Sequence, residues 1–280
     1  IAVQKSGKLH DESLKLLNDC GISIDNGKDQ LKAVARNFPI EIFYLRNGDI
    51  PQYLRDGVVD IAIIGENLLV EKGDDISIKE KLGFSKCRVS IAIPKEYIYK
   101  GIKSLTGKKI ATSYPNTVKR FLAEKGIEAE IHIINGSVEI APNIGLSDAI
   151  CDIISSGSTL FKNNLKEVEV LFKSEAVLAS SISLDAEKND ILKKLQFRIQ
   201  SVLKGRQSKY ILMNVPNESI DKISSILPVL KSPTVLPLAE PGWSSLHSVV
   251  NEGKFWEVID ELKAAGAQDI LVCPVEKMVL

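Results

Sequence analysis

Gly57-Val58-Val59-Asp60-Ile61-Ala62-Ile63-Ile64-Gly65-Glu66 reads as a glycine, an aspartate three residues on, a short apolar strand and a turn. Gly145-Leu146-Ser147-Asp148-Ala149-Ile150-Cys151-Asp152-Ile153-Ile154-Ser155-Ser156-Gly157 repeats that order. The first apolar run is too short for a helix. In the second, Leu146, Ala149, Ile150 and Ile153 also fit helical spacing, but Gly145 reads as a helix stop, so a strand is preferred. Two such units ~90 residues apart predict two similar α/β lobes.

The neighbouring segments extend the pattern. Ile1–Val3 reads as a strand, and Leu9, Leu14, Leu16 and Leu17 as the apolar stripe of a helix stopped at Gly21. Lys109–Thr112 reads as a strand. Pro115 opens a helix with Val118, Phe121 and Leu122 inward, ended by Gly126. Ile191, Leu192, Leu195, Ile199, Val202 and Leu203 line one face of a long helix over Asp190–Arg206. Beyond it, strand, helix, two strands, helix and strand follow between Tyr210 and Cys273, the βαββαβ order of a ferredoxin-like domain. The expected boundaries are 1–92 with 178–206 for the first lobe, 93–177 for the second and 207–280 for the C-terminal domain.

Two lobes imply a cleft, with ligands beyond the carboxyl ends of the strands. Four such ends carry small or polar residues: Gln4–Lys8, Gly65–Asn67, Ser113–Asn116 and Ser155–Thr159. Ser155-Ser156-Gly157-Ser158-Thr159 is the most informative, because small side chains let backbone N–H groups converge and hydroxyls add donors. That suits a phosphate, although a polar surface turn would read alike. Asp152, just before the loop, and Asp148 share a face if the segment is a strand. With Glu139 they are candidates for sugar hydroxyls or metal-bound water, or simply solvated charges. Lys5-Ser6-Gly7-Lys8 suits a polyphosphate but also an ordinary Lys-rich turn. Arg88, in a strand-like run, needs either an ion-pair partner or a cleft.

Composition removes other classes. Of 280 residues, 36 are Lys or Arg and 36 Asp or Glu, so the net charge is zero and there is no basic footprint for nucleic acid. No apolar run approaches the ~20 residues of a membrane span, and Ile1–Gly7 has no signal architecture. Cys20, Cys87, Cys151 and Cys273 lack metal spacing and are expected to be buried free thiols of a reducing cytoplasm. His10, His132 and His247 are isolated. Gly101–Lys109 misses the phosphate-binding P-loop, with glycine spacing off by one and Lys109 where Ser or Thr is required.

Together these segments resemble the ATP phosphoribosyltransferase family over nearly the whole chain. Gln4-Lys5-Ser6-Gly7-Lys8-Leu9, Asp49-Ile50-Pro51, Asp56-Gly57-Val58-Val59-Asp60, Gly65-Glu66-Asn67, Cys87-Arg88-Val89-Ser90 and Ala111-Thr112-Ser113-Tyr114-Pro115-Asn116 carry it. The strongest stretch runs from Gly136-Ser137-Val138-Glu139 through Asp148-Ala149-Ile150-Cys151-Asp152 to Ser156-Gly157-Ser158-Thr159-Leu160. The likeness continues through Ser208-Lys209-Tyr210 and Pro233-Thr234 to Pro274-Val275-Glu276-Lys277-Met278.

The resemblance implies a periplasmic-binding-protein-like pair of catalytic lobes and a C-terminal regulatory domain. It implies attack of ATP N1 on C1′ of phosphoribosyl pyrophosphate with Mg²⁺, feedback inhibition by histidine bound within 207–280, and homo-oligomers, hexameric and dimeric. Asp152 and Ser155, Ser156, Gly157, Ser158 and Thr159 would hold phosphoribosyl pyrophosphate. Lys5, Ser6, Gly7, Lys8, Gly65, Glu66, Asn67, Ser90, Ser113, Tyr114 and Asn116 would form the nucleotide site. Glu139, Asp148, Asp152, Arg88, Lys5 and Lys8 would serve the reaction, with Mg²⁺ held mainly by substrate phosphates. Lys8 stands where Arg is usual and cannot make a bidentate fork to a phosphate. Two other classes fit a two-lobe cleft, a cytosolic ligand sensor and a catalytically inactive regulatory paralogue. Clustered carboxylates beside a phosphate nest argue against the first, and intact Lys5, Arg88, Asp152 and Thr159 against the second.

Overall fold

Both halves of the echoed pattern are strands, Ile61–Gly65 and Ala149–Ile154, each placed at the centre of a separate sheet. The computed structural model describes residues 1–25, 30–73, 75–227 and 232–279. These fall into two units, Ile1–Asn18 with Ile22–Leu192, and Asp19–Gly21 with Lys193–Leu280.

The first unit opens with β1 (Ala2–Gln4), α1 (Lys8–Asp19), β2 (Lys32–Val34), β3 (Glu41–Leu45), α2 (Ile50–Arg55), β4 (Ile61–Gly65), α3 (Glu66–Lys72) and β5 (Ile76–Lys81). A second lobe follows: β6 (Cys87–Pro94), β7 (Lys109–Thr112), α4 (Pro115–Glu124), β8 (Glu130–Ile133), β9 (Ala149–Ile154), α5 (Ser158–Lys162) and β10 (Leu165–Ser174). The chain then returns through β11 (Ala176–Ser181) to α6 (Ala186–Arg206).

The sheets are ordered β2-β3-β1-β4-β11-β5 and β10-β6-β9-β7-β8. Both are mixed. β1 lies parallel to β3 and β4, and β7 parallel to β8 and β9, while β11 and β6 run antiparallel to their neighbours. The second sheet is apolar on both faces. Val89, Ile91 and Ile93 pack with Val118 and Leu122 on one side. Ala92, Ile150 and Ile154 pack with Val138 and Leu160 on the other. Burial on both faces explains why β4, and β9 as far as Cys151, read as continuous apolar runs instead of alternating ones.

The strand pairing differs from the expected boundaries. β6 pairs with β9 and β10, so the chain crosses between Lys81 and Cys87 rather than at residue 92. It returns between Ser174 and Ala176 rather than at 178. Nothing in a fully apolar strand says which sheet it joins. The division between the units falls inside α6, after Leu192, and not at 206.

The second unit contains β12 (Ser208–Pro216), α7 (Ile220–Ile226), β13 (Thr234–Pro237), β14 (Trp243–Asn251), α8 (Glu252–Ala264) and β15 (Gln268–Pro274). Its antiparallel sheet is ordered β13-β14-β12-β15, the ferredoxin-like arrangement. Ile211, Met213, Val215, Leu246 and Val250 pack against Ile223, Phe255 and Leu262, giving this sheet its own core.

Of the thiols, Cys20 and Cys151 are buried, and burial pushes Cys20 up to about 11. Cys87 is half-buried and Cys273 is exposed, against the expectation of four buried thiols. No helix among the described residues is long and apolar enough to cross a membrane.

Candidate active site

In the second lobe, the carboxyl end of β9 delivers Asp152 and then the serine-rich loop. Asp152, Ser155 to Thr159 and Glu139 line one cavity. Gly157 has φ +77°, the left-handed conformation that turns the chain from the loop into α5. The hydroxyls of Ser156 and Ser158 lie 3.0 Å apart, and the Ser158 amide is 3.4 Å from Ser156 Oγ. Glu139 stands on a 3₁₀ turn over Val138–Ile144, entered through Ser137 in the left-handed region at φ +49°.

Asp152 lies on the β9 face that also carries Ile150 and Ile154, opposite Ser90 of β6. Its Oδ1 accepts from the Ile153 amide at 2.8 Å and, at the long distance of 3.4 Å, from Ser113 Oγ at the end of β7. Burial raises its carboxyl above the usual aspartate range, and the neighbouring Glu139 charge acts the same way. The Ile153 and Ser113 donors oppose this. The Glu139 carboxylate accepts no hydrogen bond among the described residues. Two acidic side chains with free acceptor capacity therefore face a loop of backbone and hydroxyl donors.

Arg88 stands at the base of this loop. Its guanidinium makes two bonds of 2.5 Å to the Glu167 carboxylate, and Nη1 donates to the Ser155 carbonyl at 3.2 Å. It is thus an ion-paired support of the loop rather than a free cation. Glu167 is a residue that sequence reading missed, because its partner lies on another strand and only the fold joins them. Ser90 is fully buried, so it serves the sheet behind Asp152 and not an open nucleotide surface.

Asp148 is separated from this site. It precedes β9, at the opposite end of the strand, and accepts from the Lys109 amide at 2.9 Å and from Lys108 Nζ at 3.5 Å. Asp148 does not share a strand face with Asp152, because β9 begins after it, at Ala149.

In the first lobe, Lys5, Ser6, Gly7 and Lys8 follow β1, exposed. The Lys5 amide donates to Leu45 O at 2.7 Å, which brings this loop beside the end of β3 and the exposed Arg46, a third cation that the sequence pattern did not single out. Gly65 ends the adjacent β4 and Glu66 opens α3, where it is paired with Lys81 at 3.1 Å. Asn67, Tyr114 and Asn116, read as nucleotide contacts, are instead engaged between the lobes. Asn67 Nδ2 donates to Tyr114 Oη at 2.7 Å, and both residues are buried. The Asn116 amide donates to Glu71 Oε1 at 2.9 Å. Among the described residues no group of three or more His, Cys, Asp or Glu is placed to hold a metal ion. His10, His132 and His247 each have a hydrogen-bond partner.

Comparison with known proteins settles the family. The HisG family, ATP phosphoribosyltransferase, matches residues 46–201, and the HisG C-terminal domain matches residues 205–277. This chain belongs to the ATP phosphoribosyltransferase family. An ATP phosphoribosyltransferase of Cytophaga hutchinsonii is 56% identical over 279 residues, covering 100% of this chain and 98% of the relative. One from Phocaeicola vulgatus is 52% identical over 280 residues, covering 100% and 99%. Among solved structures, a chain of the ATP phosphoribosyl transferase (HisG:HisZ) complex from Thermotoga maritima superposes with TM-score 0.60 and 31% identity. That match covers 71% of this chain and 97% of that one. The serine-rich loop, Asp152, Glu139 and Arg88 all lie within residues 46–201, the segment that matches the ATP phosphoribosyltransferase family.

Proposed function

We propose that this chain joins ATP to phosphoribosyl pyrophosphate, N1 of the adenine attacking C1′ and pyrophosphate leaving, as the first step of histidine biosynthesis. The observation that carries this reading is the single cavity in which Asp152 and Glu139 face the Ser155–Thr159 loop. The loop takes the 5′-phosphate with backbone and hydroxyl donors. Asp152 and Glu139 accept from ribose hydroxyls, and their charge favours a cationic centre developing at C1′. Arg88 holds the loop through the Ser155 carbonyl. Lys5, Lys8 and Arg46 in the first lobe neutralise phosphates, with Ser6, Gly7, Gly65 and Glu66 beside them. In this reading the rate enhancement rests on orientation and charge, without a covalent intermediate.

The free carboxylate oxygens of Asp152 and Glu139 fit Mg²⁺ that is held chiefly by substrate phosphates and reached through water. When bound, Mg²⁺ neutralises the departing pyrophosphate. Residues 207–280 act as the regulatory domain, binding histidine as feedback inhibitor. The working enzyme is a cytoplasmic homo-oligomer, dimeric and hexameric.

The test is pyrophosphate release from ATP, phosphoribosyl pyrophosphate and Mg²⁺, with and without histidine. Release that requires both substrates and falls with histidine is expected. Release indifferent to histidine would remove the regulatory role from 207–280, and no release would favour a ligand sensor or an inactive regulatory paralogue.

A further inference from the structure

The lobes of the first unit meet through the helices that follow β4 and β7. On α3, Asn67 and Glu71 are one turn apart and share a face. Glu71 is 5% exposed, a carboxylate buried against the other lobe. Its Oε1 accepts from the Asn116 amide at 2.9 Å. Its Oε2 accepts from the Thr117 amide at 2.8 Å and from Thr117 Oγ1 at 2.7 Å. Those are the first free amides of α4, whose N-terminus favours negative charge. The first turn of α4 is therefore capped by a side chain from the opposite lobe, and no substrate phosphate can use it. Asn116 Nδ2 returns a bond to the Glu71 carbonyl at 3.1 Å.

The contact around Glu71 is equally specific. Tyr114 belongs to the second lobe, yet its ring is buried in the core of the first, among Ala62, Ile64 and Leu68. Its hydroxyl is held by Asn67, which also bonds Ser174 at the return crossing. Gly65 makes room for this, since a Cβ there would stand 2.4 Å from Asn67 Oδ1. Ser113 and Tyr114, three and two residues before Asn116, connect this contact to the site, because Ser113 reaches Asp152 at 3.4 Å.

We propose that Glu71 is a positioning residue for the transfer reaction: by capping α4 it fixes one lobe against the other and sets the distance across which the two substrates meet. The proposal rests on the transferase reading. Each substrate keeps its own lobe when the latch is lost, so binding survives while alignment does not.

The test measures pyrophosphate release by Glu71→Gln, Thr117→Val and Thr117→Ser, calorimetric binding of ATP or phosphoribosyl pyrophosphate alone with Mg²⁺, and hydrogen exchange at the Asn116 and Thr117 amides. Glu71→Gln is expected to lose roughly a hundredfold in kcat, with each substrate bound within about threefold of wild type. Its two amides exchange faster. Thr117→Val loses about fivefold in kcat, and Thr117→Ser, which keeps the hydroxyl, restores it. A kcat within about twofold of wild type in both Glu71→Gln and Thr117→Val overturns the proposal. So does a parallel fall of kcat and binding, which would mark mere support of the fold. Should Glu71→Gln not fold, the Thr117 pair decides. If the wild type releases no pyrophosphate, the transferase reading fails; unchanged amide exchange would separately overturn the latch.

Discussion

Asp152 shows how one residue serves activity against stability. Burial and the Glu139 charge raise its carboxyl, so its ionised form is disfavoured in the folded protein. As pH rises past the ordinary aspartate value the unfolded chain ionises first, and the folded state loses stability until its own higher value is passed. Asp152→Asn is therefore expected to raise the neutral-pH melting temperature while lowering kcat/KM for phosphoribosyl pyrophosphate by roughly a hundredfold. In the wild type, the acid limb of kcat/KM should lie above the ordinary aspartate value and vanish in Asp152→Asn. A variant that loses both melting temperature and activity would mean a structural carboxylate. Arg88 makes the complementary case. Arg88→Lys keeps the charge but cannot span both Glu167 oxygens and the Ser155 carbonyl. Steady-state kinetics should show KM for phosphoribosyl pyrophosphate rising about tenfold, with kcat changed less.

At the scale of elements, β9 decides which carboxylates belong to the site. Asp152 lies within it and Asp148 just before it, and the period-two alternation that would put both on one face holds only within a strand. The strand starts at Ala149, so Asp148 instead closes the start of β7 through the Lys109 amide. Asp148→Ala should leave kcat and both KM values near wild type and lower stability by about 1 kcal/mol, read by urea denaturation. A large loss of turnover would return Asp148 to the cleft. The same contrast marks what was legible in the sequence. Apolar runs, glycine stops and the βαββαβ order were readable because they are local and periodic. Which sheet accepts β6, and that Asn67, Tyr114 and Asn116 meet across lobes, depends on residues about 50 apart in the chain whose pairing no local pattern encodes. Glu71 and Glu167 stayed hidden for that reason: each lies in an ordinary amphipathic stretch, and its importance comes from a partner on another element.

For the molecule as a whole, the two units carry separate cores. Ile211, Met213, Val215, Leu246 and Phe255 pack among themselves, while the two-lobed unit has clusters of its own. Chains of this kind depart from a single two-state transition, so calorimetry should resolve two unfolding steps. A ligand that binds only one native unit raises that unit's step by mass action, by about 2.7 kcal/mol at a hundredfold excess over Kd. Phosphoribosyl pyrophosphate with Mg²⁺ should therefore raise the step of the two-lobed unit, and histidine that of residues 207–280. Histidine raising the two-lobed step alone would mean that it competes in the cleft, and inhibition would then be direct. Histidine raising both steps together would mean that the units unfold as one. If histidine raises only the C-terminal step yet weakens calorimetric binding of phosphoribosyl pyrophosphate, the two sites are energetically coupled, and by reciprocity phosphoribosyl pyrophosphate must weaken histidine binding by the same factor.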